Sequence, residues 1–268
     1  MLLRSLTLRP PPAGSEHDFP WSVPAVRALD TLTFPSPVTF LVGENGSGKS
    51  TVLEAIGAAT SLPAIGAELR IADDATLAAQ RALGVRLRLT WERRTTRGFF
   101  LRAEDFFGFT RTLARMRADF LRELEEVDAE YGDRSAMAKG LREMPIRSSL
   151  HDMERRYGVD LDANSHGQSF LRLFQSRFVP AGLHLLDEPE APLSPQSQLA
   201  LIAMLKEMIG EGAQFIIATH SPILLAFPGA TIYSFDHVPV QAVSYAELEH
   251  VNLTRDFLAD PERFLRRL

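Results

Sequence analysis

The chain contains no cysteine, and only three of its 29 basic residues are lysines: Lys49, Lys139 and Lys206. The first absence excludes disulfides, thiolate metal sites and cysteine nucleophiles, and it fits a reducing compartment. The second leaves arginine as the default cation and makes Lys49 conspicuous, because it stands where a compact ammonium is wanted rather than a guanidinium fork. No apolar run approaches the roughly 18 residues of a membrane span, and the N-terminus lacks a basic segment followed by an apolar core. We therefore expect neither a span nor a secretory signal, and a cytoplasmic protein. There is no H-E-x-x-H, no G-x-S-x-G and no cluster with metal-ligand spacing. A net charge of −5 argues against a uniformly basic surface, and 268 residues with 45% apolar content allow one large core or a core plus a small subdomain.

What is present begins at Gly43-Glu44-Asn45-Gly46-Ser47-Gly48-Lys49-Ser50-Thr51. This is a complete G-x-x-x-x-G-K-[ST] phosphate loop between an apolar run (Val38 to Val42) and a helical pattern (Val52 to Ala59). Glycines let the backbone curl so that N–H groups point at phosphate oxygens, and the following helix adds the positive end of its dipole. Lys49 is expected to reach the β- and γ-phosphates and the Ser50 hydroxyl to ligate Mg²⁺.

Residues 2 to 9 alternate apolar and polar side chains and Val26 to Phe34 does so loosely, which predicts edge strands leading into the loop. Val85 to Trp91 alternates cleanly, and Arg97 to Arg102 is expected to be its hairpin partner, turning through Arg93 to Thr96. Phe106 to Tyr131 is helical and charged, whereas Gly132 to Asp162 carries no clear fold signal. From Leu183 onward, strands (Leu183 to Leu186, Gln214 to Ala218, Thr231 to Phe235) alternate with helices, predicting a mainly parallel sheet. The expected organisation is one α/β domain. It comprises an N-terminal β region with the loop and hairpin (1–104), an inserted helical subdomain (105–178) and a C-terminal αβ lobe (179–268).

Leu183 to Leu186 runs into Asp187 and Glu188, adjacent carboxylates at the sheet edge where the phosphate loop lies. Asp187 is placed to bind Mg²⁺ and Glu188 to polarise the attacking water. The next apolar strand, Gln214 to Ala218, leads to His220, where an imidazole can report the γ-phosphate. For His17, His151, His184, His237 and His250 a structural role is the default.

Together these residues resemble the ABC-type ATPase superfamily, which spans transporter nucleotide-binding subunits and SMC/RecF-type ATPases; the likeness is closest at 38–60 and 164–225. The resemblance implies a signature segment, Leu-Ser-Gly-Gly-Gln, that binds the γ-phosphate held by the opposite subunit. Here Ser165, His166, Gly167 and Gln168 occupy it, with Asn164 and His166 departing from the pattern; the Ser-His-Gly-Gln form is similar to small stand-alone bacterial ATPases. The segment Glu190 to Pro195 resembles the family's dimer-contact loop. The Mg²⁺-contacting glutamine of the family has Glu104 in its place, a carboxylate able to bind the ion or simply an acid at a helix start. Adenine contacts are expected from Phe19, Trp21 or Arg27.

The resemblance implies a homodimer closing around two Mg-ATP molecules and opening on hydrolysis, a switch that drives a separate effector. Three readings stay open: a switch in DNA maintenance or defence, a transporter motor docked on a membrane partner, and a low-turnover regulatory module. Eleven arginines against four acids between residues 81 and 122 favour a nucleic-acid contact, or form a solvated face.

Overall fold

A computed structural model describes residues 1–65, 78–131, 136–157 and 166–266, with the side chains of 103, 104, 106, 107, 109, 110, 156, 157, 166 and 167 left out. The chain opens with β1 (Leu3–Leu8), a short α1 (Pro24–Arg27), β2 (Thr31–Thr33), β3 (Val38–Val42) and α2 (Lys49–Thr60). Next come α3 (Ala78–Arg86), β4 (Leu87–Trp91), β5 (Gly98–Arg102), α4 (Ala103–Tyr131), α5 (Ala136–Tyr157) and α6 (His166–Arg177). The last third runs β6 (Leu183–Asp187), α7 (Pro195–Gly210), β7 (Gln214–Ala218), α8 (Pro222–Leu225), β8 (Thr231–Ser234) and β9 (Gln241–Val243). A 3-10 turn at Tyr245–Glu247, α9 (Glu249–Ala259) and α10 (Pro261–Leu265) complete it.

The main sheet has the order β5-β6-β7-β3-β8-β9, parallel except for β9. All five residues of β3, β6 and β7 are buried, because helices or a second sheet cover both faces. On one face Leu41, Phe100, Leu185 and Ile216 pack with α2 residues Val52, Leu53 and Ile56 and with Leu3, Leu6 and Leu32 of the smaller sheet. On the other, Phe40, Leu186, Phe215 and Ile217 meet Phe170 and Phe174 of α6, Leu201 and Leu205 of α7, Leu224 and Val251. Gln214 ties the sheets together: its Oε1 accepts the N–H groups of Leu2 (3.0 Å) and Leu3 (2.8 Å), and its Nε2 donates to the Leu3 carbonyl (2.9 Å).

Three expectations need correction. β1 is the central strand of a separate antiparallel sheet, β2-β1-β4, not an edge strand; its alternation reflects one face on the core and one in solvent. The stretch from Val26 to Phe34 is strand only at Thr31–Thr33, since Pro24 opens a helical turn through Arg27. The hairpin of 85–91 with 97–102 does not form. β4 pairs with β1, while β5 enters the main sheet parallel to β6. Gly98 (φ +117°) lies so close to Leu183 that a Cβ there would sit 1.8 Å from the Leu183 carbonyl oxygen, and only glycine can start the strand at that approach. The unpatterned stretch after Tyr131 holds α5, which packs on α4. Arg117–Glu154 (3.1 Å) and a close Lys139–Asp128 pair link the two helices.

Candidate functional site

The parallel strands β6, β7, β3 and β8 all end at one edge, and the loops leaving that edge carry nearly every residue singled out above. After β3 the chain turns through Gly43 (φ +148°), Gly46 and Gly48, all with positive φ, into α2. A Cβ on Gly43 would lie 2.8 Å from Ser47 Oγ and 3.0 Å from Asp236 Oδ1, so the position has no room for a side chain. Gly48 caps α2 in left-handed geometry without any side-chain hydrogen bond, leaving the first N–H groups of the helix free to meet an anion.

Lys49 is buried, and its Nζ donates to the carbonyls of Gly43 (2.6 Å) and Glu44 (2.9 Å). Burial holds the ammonium below its ordinary pKa, against the opposing pull of Glu188, Asp187, Asp236 and Glu190. Ser50 Oγ donates to Asp187 Oδ1 at 3.1 Å, so the end of β6 and the start of α2 are joined directly. Asp187 is pushed up to about 7, chiefly by burial and further by Glu54 and Glu188, while the Ser50 hydroxyl and Arg102 oppose the shift. Arg102, opposite Asp187 across the β5–β6 ladder, pairs with Glu54 of α2 at 2.7 Å in a buried ion pair.

Glu188 adopts a positive φ (+49°), and its N–H donates to the Ala218 carbonyl (2.9 Å). This kink leaves the side chain half-exposed at the mouth of the loop, with Oε1 3.8 Å from His220 Nε2. Burial and then Lys49 hold His220 below the ordinary histidine range, against Glu188, so at neutral pH the imidazole beside Glu188 is neutral. Glu44, Asn45, Glu188 and His220 line one shallow cleft. The Ser50 hydroxyl, the buried Asp187 carboxyl and the half-exposed Glu188 carboxyl form an oxygen-donor set that fits Mg²⁺.

Two supports escaped sequence reasoning because they act through backbone N–H groups. Asp236 Oδ1, just after β8, accepts the Glu44 N–H (2.7 Å), and Glu190 Oε1 accepts the His220 N–H (2.7 Å). Burial raises the Glu190 pKa, opposed by the Thr219 hydroxyl and that N–H. The Glu54–Arg102 pair had a legible signal: Glu54 lies one helical turn after Ser50, and Arg102 ends an apolar strand.

Other candidates stand apart. Ser165 and Asn164 lie outside the described residues. His166, Gly167 and Gln168 form the first turn of α6, and Gln168 is exposed. Glu104 is the second residue of α4, and its side chain is outside the description. Trp21 is 4% exposed within the core and cannot stack on a base, whereas Phe19 is 52% exposed. The arginines of 81–122 are divided: Arg88, Arg93, Arg94 and Arg97 face solvent, Arg102 points inward to Glu54 and Arg117 pairs with Glu154. Among the described residues no helix is long and apolar enough to cross a membrane.

Residues 26–66 match the family described as "AAA domain", and residues 113–226 match "AAA domain, putative AbiEii toxin, Type IV TA system". The chain is similar to the ribose import ATP-binding protein RbsA 1 of Burkholderia cenocepacia (strain HI2424), with 29% identity over 209 residues, 74% of this chain and 37% of that protein. It therefore spans little more than a third of that relative. The cobalt import ATP-binding protein CbiO of Salmonella typhimurium is 24% identical over 250 residues, 88% of this chain and 83% of that protein. Among solved structures, a nucleotide-free ATP-binding cassette from an ABC transporter aligns over 98% of this chain and 97% of its own, at 17% identity and TM-score 0.47. An Smc head domain from Pyrococcus furiosus aligns over 96% and 100%, at 13% identity and TM-score 0.46.

Proposed function

We propose that the chain is an ABC-type P-loop ATPase, a reading supported by its AAA-domain matches and ATP-binding relatives, and that it binds Mg-ATP at Gly43–Thr51 and hydrolyses it at the edge where Lys49, Ser50, Asp187, Glu188 and His220 converge. That convergence, above all the Ser50–Asp187 hydrogen bond beside a half-exposed Glu188, is the observation that carries the reading. Loop N–H groups and the start of α2 hold the phosphates, and Lys49 exchanges its two carbonyl partners for the β- and γ-phosphate oxygens. Ser50 and Asp187 would hold Mg²⁺, with Glu104 as a further candidate. When bound, the ion supplies charge neutralisation across the phosphate oxygens. Glu188 takes the proton from a water as its oxygen attacks the γ-phosphorus, the bond to the β-phosphate oxygen breaks, and ADP and phosphate leave. His220 orients the γ-phosphate, held in place through Glu190.

In this reading two copies close head to tail around two Mg-ATP molecules, and Ser165, His166, Gly167 and Gln168 of one reach the γ-phosphate of the other. Closure drives a separate effector in DNA maintenance or defence, where the exposed arginines of the β4–β5 region favour a nucleic-acid contact. The transporter-motor reading draws support from relatives named for ribose and cobalt import, and in it the partner is a membrane protein. A low-turnover regulatory module is the third reading.

Two measurements test this. Lys49→Ala should lose Mg-ATP binding, and Ser165→Arg should bind ATP as a monomer in sedimentation while the parent protein dimerises; ATP-bound dimers of the second variant would overturn the pairing. Capture of the Glu188→Gln protein with Mg-ATP from native cells then separates the effectors, a multi-span membrane protein pointing to transport and nucleic acid or a soluble protein to the switch.

A further inference from the structure

A second imidazole stands beside His220. His250, in the first turn of α9, lines with His220 a cleft of about 990 Å³ whose other walls include Val42, Gly43, Glu44, Ser234, Asp236 and Leu253. His250 Nε2 and His220 Nε2 are both buried atoms without a hydrogen-bond partner. A buried ring nitrogen left unpaired is costly, and two in one cleft mark a place where a polar ligand completes the set. His237, on the same wall, is already engaged: its Nδ1 meets Ser234 Oγ at 3.0 Å.

The cleft opens at one particular end of the nucleotide. Gly43 and Glu44 are the residues whose carbonyls now hold Lys49 Nζ, and that ammonium is the group that reaches the β- and γ-phosphates. A cleft walled by Gly43, Glu44 and His220 therefore adjoins the part of the loop against which the terminal phosphate would lie. Asp236 fixes this wall by accepting the Glu44 N–H. Burial holds the His250 imidazole below its ordinary pKa; Asp236 pulls it up and Lys49 down, which places the ring in the electrostatic reach of the phosphate-binding lysine.

We propose that His250 is a second side chain reading the terminal phosphate: with its proton on Nε2 it donates to a γ-phosphate oxygen beside His220, so that α9 senses whether triphosphate or diphosphate is bound. This rests on the nucleotide reading above. The consequence is directional, since α9 also carries Leu258 outward with 71% exposure, on the same helix that holds the sensor.

The test compares a non-hydrolysable ATP analogue with ADP, each with Mg²⁺, by titration calorimetry on the full chain. His250→Ala should weaken the analogue about tenfold, the loss of one hydrogen bond to a charged oxygen, while ADP affinity stays within about twofold. An equal loss for both nucleotides, or no loss for either, overturns the proposal, because a merely structural role cannot distinguish them. Should the variant fold poorly, NMR of the unaltered protein decides: the His250 ring signal should shift with the analogue and not with ADP, and identical shifts overturn the proposal. Failure of the unaltered protein to bind either nucleotide would instead sink the ATPase reading itself.

Discussion

Ser50 Oγ and Asp187 Oδ1 lie 3.1 Å apart, although one belongs to the helix after β3 and the other to the end of β6. The contact follows from strand order: β7 alone separates β3 from β6, so the loops leaving both meet at one edge. It also sets a conflict between folding and chemistry. Folding raises the Asp187 pKa to about 7 from an ordinary value of 3.8. A carboxyl raised in the folded state stabilises it fully at low pH, and that contribution is lost as pH climbs from about 4 to 7.

Asp187→Asn should therefore make the nucleotide-free protein more stable at pH 8 by roughly 2–4 kcal/mol, with the difference shrinking towards pH 4. Asparagine keeps an acceptor for Ser50 and removes the cost of burying charge. Urea denaturation in EDTA at several pH values checks this; a variant equally or less stable at pH 8 would show that Asp187 is not strained by burial.

Glu188→Gln should retain ATP binding within about twofold while phosphate release falls by roughly 10²–10⁴-fold, the range for losing a positioned base. Its side chain stands out from a kinked backbone, so the change removes one carboxylate and disturbs no packing. Turnover at the parent rate would move the base elsewhere, His220 being the neighbour to examine.

Much of this edge was readable in sequence because its chemistry is local. The phosphate loop needs glycine where φ is positive, and Asp187, Glu188 and His220 each lie at the end of a largely apolar, fully buried strand. The Gly98 strand was misassigned although its signal was present: Phe99, Phe100 and Leu101 do not alternate, as befits a strand covered on both faces, while Leu87 to Trp91 do. α5 gave little pattern because it packs mainly on α4, leaves Met137, Leu141 and Met144 exposed and contains Pro145. Asp236 and Glu190 act on backbone N–H groups, which leave no trace in residue type. That His250 and His220 line one cleft depends on where α9 packs, a tertiary fact.

His184 gives a second dependence on pH, of opposite sense. Its ring is fully buried among Phe99, Phe178 and Phe215, with centroids 4.8, 5.1 and 5.1 Å away, and burial pushes its pKa down to about 4. The native ring stays neutral while the unfolded chain takes up a proton below pH 6.5, so stability falls as pH drops from 6.5 to 4, by about 3 kcal/mol in all. His184→Phe should flatten that limb of the stability curve; an unchanged acid slope would place its origin elsewhere.

Arg102 and Glu54 test whether a buried ion pair shapes the catalytic edge or only fills it. The pair is 2.7 Å apart and about nine-tenths buried, so Arg102→Met, which takes the opposite charge away from a buried Glu54, should cost about 3–5 kcal/mol, and adding Glu54→Leu should restore most of it. Stability alone cannot separate packing from electrostatics, but Asp187 can, since Glu54 raises its pKa and Arg102 lowers it. With both charges gone these opposing influences cancel in part. The double variant should then recover its fold and keep ATP binding within about tenfold of the parent, because Ser50 and Asp187 stay in place. A refolded double variant that has lost ATP binding altogether would show instead that the pair itself orients the edge, and that Arg102 belongs with the residues that act on the phosphates.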